Sequence, residues 1–137
     1  MKAEELRIGN IVFSDAMSEL LNEPMVIGGI SYERFLGECA YVSSKYNEDG
    51  SNLLHRHPIC MMRPIPVTEE ILLLCGFKVV HPEYKDIYAI RNIEYLVGCG
   101  DKSEMHWNGY QLPKTKYLHQ LQNAYYTITG EELKINL

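Results

Sequence analysis

The chain has 137 residues, 46% of them hydrophobic, and a net charge of −5. That length suits one domain or two very small ones, and that apolar content excludes a wholly disordered chain. Residues 1–64 hold six basic and nine acidic side chains, giving −3, and residues 65–137 hold seven and nine, giving −2; neither part has the positive excess behind non-specific nucleic-acid affinity, so nucleic acid is disfavoured as a partner.

In chain order, Leu6 to Phe13 mixes apolar and polar positions around a Gly-Asn turn signal, which predicts a strand from about Asn10 to Phe13. Asp15 to Pro24 reads as a helical turn or a long loop. Met25-Val26-Ile27 and Ile30 to Tyr32 read as strand, interrupted by Gly28-Gly29 as a bulge or bend. Glu38 to Ser43 is a further strand, Lys45 to Asn52 a polar loop with an Asp-Gly turn, and Ile59 to Met62 a short apolar strand closed by Arg63-Pro64. Short strands with bends and no long helix suit a small curled antiparallel sheet or an SH3-like barrel, the alternative being an open sheet shared with the second half.

The character changes at Pro64-Ile65-Pro66. Thr68 is a good N-cap, Glu69 and Glu70 suit the positive end of a helix dipole, and Gly76 is placed to stop the helix. About two helical turns result, too few to stand without packing. Three strands are expected next: Phe77 to Val80, Ile87 to Arg91 after a turn over His81 to Asp86, and Glu94 to Cys99. Met105 to Trp107 and Tyr110 to Leu112 flank an Asn108-Gly109 hairpin turn.

The clearest element runs from Lys114 to Thr129. Tyr117, Leu118, Leu121, Ala124, Tyr125 and Ile128 recur at helical spacing and cover one arc of about 120°. Gly130 ends it, and Glu131 to Leu137 alternates as a closing strand. The expected fold class is therefore α+β: a β-rich part over 1–64, then helix, antiparallel strands, long amphipathic helix and terminal strand over 65–137. The two parts are small enough to share one core.

The longest purely apolar run, Ile71 to Cys75, falls far short of the roughly 20 residues that cross a bilayer. The polar opening Met1-Lys2-Ala3-Glu4-Glu5 lacks a secretory apolar stretch. Cys39, Cys60, Cys75 and Cys99 form no CxxC pair and suggest no disulfide framework, and Cys75 and Cys99 read as small buried hydrophobes. A cytoplasmic protein without a membrane partner is expected.

His55-x-His57 followed by Cys60 offers zinc-ligand types. In a strand the two histidines share a face and Cys60 takes the other, and no fourth ligand is in view. A polar loop beside a core cysteine is the reading adopted, with no metal and no cofactor. On the long helix, His119, Asn123 and Tyr126 step by four and three along one polar face, flanked by Gln120 and Gln122. They are the candidate ligand- or partner-binding residues, against a plain solvated face. No adjacent carboxylate or nucleophile makes His119 a catalytic base. Ten tyrosines serve core packing first and self-association or partner binding second. Asp101, Glu104 and His106 form a small acidic-histidine cluster. Phosphate-loop, dinucleotide, nucleophile-elbow, HExxH and EF-hand patterns do not occur. No catalytic residues are assigned.

Three stretches carry a resemblance. They are Met1 to Asn10; Ile65-Pro66-Val67-Thr68-Glu69-Glu70-Ile71-Leu72 through Gly76-Phe77; and Leu118-His119-Gln120-Leu121-Gln122-Asn123 through Tyr126 and Thr129-Gly130-Glu131-Glu132-Leu133. Together they resemble a group of small uncharacterised proteins from Bacteroides-type gut bacteria, often associated with prophages or other mobile elements. The resemblance implies a bacterial cytoplasmic accessory protein and brings no activity with it. The function expected is a non-enzymatic binding or assembly module. The alternatives are a nucleic-acid-associated SH3-like protein, or a small enzyme whose site is assembled only in three dimensions.

Overall fold

Short β-forming runs punctuated by glycine and proline sort into two antiparallel sheets. The computed structural model describes residues 1–15, 24–44, 55–98, 102–113 and 115–136. The chain divides into two compact units, Met1–Ile65 and Pro66–Leu137. The class is α+β, with strands dominant and two α-helices among the described residues. None of these helices is long and apolar enough to cross a membrane.

The first unit holds β1 (Ile11–Ser14), β2 (Met25–Glu33), β3 (Gly37–Ser44), β4 (His55–Pro58) and β5 (Met62–Arg63), in the order β4-β3-β2-β1-β5. Inward-facing Val12, Met25, Ile27, Ala40 and Val42 pack with Leu6, Ile59 and Met62, as period-two alternation on a half-buried sheet requires. Gly28-Gly29 does not interrupt β2. The strand runs through, and the pairing with β3 slips between Ile27 and Gly29, a bulge that bends it. His55 to Pro58, expected as polar loop, is a strand paired with Cys39 to Val42. The strand expected over Ile59 to Met62 is a 3-10 turn, Ile59–Met61, followed by β5.

One hydrogen bond measures how far this sheet curls. Ser14 of β1 and His57 of β4 are both buried, and the Ser14 hydroxyl lies 2.7 Å from His57 Nδ1. In a flat sheet those strands, with two others between them, would lie about 14 Å apart. Two side chains cannot bridge that gap at hydrogen-bond distance, so the sheet wraps round its core. It is not closed, because β4 and β5 remain its outer strands.

The second unit is a five-stranded meander, β10-β9-β8-β7-β6. Its strands are β6 (Lys78–His81), β7 (Tyr84–Ile90), β8 (Ile93–Leu96), β9 (Glu104–Trp107) and β10 (Tyr110–Gln111). The turn expected over His81 to Asp86 is shorter: His81 pairs with Tyr84, and β7 starts there. Tyr88, Ile93, Tyr95 and Met105 face inward. On that side lie α1 (Glu69–Leu74), whose Thr68 cap accepts the Ile71 N–H at 3.3 Å, and α2 (Leu118–Thr129), which ends at Gly130 with φ of 71°. The Tyr95 hydroxyl donates to the Thr115 carbonyl just ahead of α2, at 2.8 Å.

Two further expectations fail in this unit. The long helix begins at Leu118 rather than at Lys114, which lies outside the described residues. Tyr117 bridges Pro66, and the Val67 N–H donates to the Lys116 carbonyl at 3.0 Å, so the chain there is extended. The segment Glu131 to Asn136 forms no strand. Its alternating Leu133 and Ile135 are buried, and the Asn136 N–H caps the α1 end at the Leu74 carbonyl, 3.0 Å away.

Candidate partner-binding surfaces

On α2 the predicted polar stripe is split by depth. His119 is 1% exposed and stacks on Tyr117, with ring centroids 6.0 Å apart and planes 8° from parallel. Gln122 is buried as well, Asn123 is half-buried, and Tyr126 is exposed. His119, Asn123 and Tyr126 therefore share a helix side without sharing a surface. Helical spacing reports direction round the axis; how deep each direction sits is set by packing.

The polar groups that do converge lie at one end of the second sheet. The Arg91-Asn92 turn joins β7 to β8, and the Asn108-Gly109 turn joins β9 to β10. Ile93 pairs with Trp107, and the Asn108 N–H donates to the Asn92 carbonyl at 3.2 Å, so the turns lie side by side. Asn108 and Gly109 both take positive φ, as this tight hairpin turn demands. Arg91 has φ of 52°, a costly backbone for a long side chain. Its guanidinium is anchored on Glu131 at 2.6 Å. A shallow cleft of about 270 Å³ is lined by Arg91, Asn92, Glu94, His106 and Asn108. Of the acidic-histidine cluster, Asp101 lies outside the described residues, while His106 Nε2 meets Glu104 at 3.1 Å on the outer face of β9. The cleft holds no hydroxyl or thiol nucleophile among its lining residues.

His55 and His57 do not form a metal site with Cys60. Their ring centroids are 6.4 Å apart, His57 is committed to Ser14, and Cys60 is exposed on the 3-10 turn. Among the described residues no three histidine, cysteine or acidic side chains are grouped to hold an ion. Burial, with the nearby charge of His55, holds the His57 imidazole below its ordinary pKa. Ser14 and His57 have the composition of a catalytic dyad, but their enclosure makes them a cross-tie.

Among the described residues of the first unit, the largest apolar exposure is at the β2–β3 hairpin tip. Phe35 is 91% and Tyr32 78% exposed, with Leu36 beside them. The Arg34 guanidinium sits 5.7 Å from the Phe35 ring centre, and Glu33 pairs with Arg56 of β4 at 3.1 Å. Gly37, with φ of 72°, closes the turn. In the second unit the exposed apolar residues include Val79 and Val80 of the outer strand β6. The strands expected over Ile30 to Tyr32 and Phe77 to Val80 cover Tyr32, Val79 and Val80 but not Phe35 or Leu36, and carry no sign of these exposures. The only local signal at the hairpin was an apolar pair immediately before Gly37.

No family model, curated protein or solved structure matches this chain.

Proposed function

We propose that the chain is a non-enzymatic binding or assembly module, with a protein partner or a second copy of itself, working in the cytoplasm as part of a bacterial or prophage-derived accessory system. The observation that carries this reading is the hairpin tip. Aromatic side chains held out on a short turn, with an arginine laid over one of them, are the residue types that dominate protein interfaces. A soluble surface does not ordinarily maintain such a group without use. The enzyme reading loses support because the Ser14–His57 pair is enclosed and the sheet-end cleft lacks a nucleophile.

The first unit is further read as an open SH3-like barrel. Support comes from its strand order, the curl measured by the Ser14–His57 contact, the bulged β2, and the 3-10 turn ahead of β5. The nucleic-acid role that such barrels can serve is the weaker reading here, because the chain is acidic.

The test is affinity capture from the host, with light scattering on the purified chain to detect self-association. A captured partner, or a defined oligomer, that is lost on Phe35→Asp supports the module. A strict monomer that captures nothing, with or without Phe35, refutes it.

A further inference from the structure

We propose that the outer edge of β6 docks an extended basic peptide as an added strand, with a lysine or arginine of that peptide entering the cleft beside Glu69. The inference rests on the binding-module reading and names a second contact surface and the chemistry of its partner.

β6 ends the strand order of its sheet, and all four of its residues are exposed. Val79 is 43% and Val80 48% exposed. An apolar edge of this kind is a template for another strand, which proteins normally guard with charge, cover or distortion. Here Lys78 stands at its start on the sheet face opposite Val79, since successive strand residues alternate, and the pairing with β7 slips only beyond Val79, before His81.

Beside the edge is a cleft of about 380 Å³ lined by Val79, Pro82, Tyr88 and Glu69. Val79 and Tyr88 are cross-strand partners on the inner face, so a peptide residue set opposite Val79 projects its side chain to the same side. Three of the four walls are apolar. The fourth is the Glu69 carboxylate, and burial together with this carboxylate raises the pKa of the Tyr88 hydroxyl. Apolar walls with one carboxylate at the rim fit an aliphatic stem carrying a cationic head. Strand addition supplies main-chain hydrogen bonds, and the cleft supplies selection by side chain.

Charge decides between occupants. The stretch 69–86 carries Glu69, Glu70, Glu83 and Asp86 against Lys78 and Lys85, a net charge of −2, so an acidic strand is disfavoured. A second copy pairing through its own β6 would set Val79 near Val79 and leave both Glu69 carboxylates without a cation. A basic peptide satisfies edge, cleft and carboxylate together.

The test uses the full chain and a fluorescein-labelled heptapeptide of alternating valine and lysine, with a glutamate-for-lysine version as control. Anisotropy should show saturable binding at least tenfold tighter for the lysine peptide, with amide shifts centred on Lys78 to His81. Val79→Lys, which places the protein's own cation in the cleft, should weaken binding at least tenfold. Glu69→Gln should weaken it about threefold, as for loss of an exposed ion pair, with melting behaviour unchanged. Equal binding of the two peptides, or indifference to both substitutions, overturns the proposal. So does a β6-mediated dimer in place of peptide binding. Shifts centred on Tyr32 and Phe35, or Phe35-dependent capture without any peptide binding, sink the edge proposal and leave the module reading standing. Loss of both kinds of binding sinks both.

Discussion

The two units solve the same problem differently. Each has a five-stranded antiparallel sheet with one apolar face to bury. The first wraps its sheet round a core of its own strands and ties the wrap with a buried serine–histidine contact. The second keeps a meander and buries its inner face with α1, α2 and the segment carrying Leu133 and Ile135. A curled sheet needs bends, which the Gly28-Gly29 bulge supplies, and it depends on a polar contact inside. A covered meander needs only tight turns and large apolar groups.

Substitutions separate the two strategies. Leu121→Ala, at a fully buried α2 position, should cost the second unit about 2–5 kcal/mol, the range for a leucine cavity in a core. Denaturant unfolding followed by the amides of β8 and β9 reads it. A loss well under 1 kcal/mol would mean that the helix is not what buries the sheet. Ser14→Ala should cost the first unit about 1–3 kcal/mol by leaving His57 Nδ1 buried without its hydroxyl. A neutral outcome would show that the curl does not depend on the tie. Thr68→Ala should remove about 1 kcal/mol through loss of the α1 cap, read as a shift in unfolding midpoint.

The histidine gives the first unit a pH signature. The folded state holds the His57 pKa below its ordinary value of 6.5, so the unfolded chain takes up the proton first. The stability contribution is complete above that value and is lost as pH falls through the window beneath it. Imidazole titration by NMR, paired with unfolding at a series of pH values, checks the sign; a first unit that gains stability on acidification would reverse it. The smallest effect is expected from Arg91→Ala. Its bond to Glu131 is short but solvent-exposed, and the unfolding midpoint should stay where it is.

Local chemistry made much of this architecture readable. The Thr68 cap, the Gly76 and Gly130 stops and the Asn108-Gly109 hairpin each follow from a residue whose backbone or side chain allows little else. What could not be read depends on distant partners. Residues before Leu118 have helix-compatible spacing but are taken up by extended pairing with Pro66 and Val67. Leu133 and Ile135 alternate because every second side chain is buried, and burial alone does not make a ladder. His55 and His57 looked like loop until β3 was available to pair with them. The candidate stripe fails as a common surface for the same reason: type and spacing placed His119 beside Asn123 and Tyr126, and only packing could reveal it as interior. The Arg91 cleft has no local signature because its lining comes from two turns that meet only when β8 pairs with β9.

The pairing of β1 with β5 has a consequence for how fast each unit forms. In the meander every strand pairs with the one just before or after it, so each contact closes a short stretch of chain. In the first unit Phe13 must find Arg63 from nearly the opposite end of its sequence. Distant pairings slow the search for the native state because loop-closure entropy is lost before contacts compensate for it. Stopped-flow refolding should accordingly show amide protection in β7 and β8 ahead of β1 and β5, with strand closure in the first unit as the slow step of the chain.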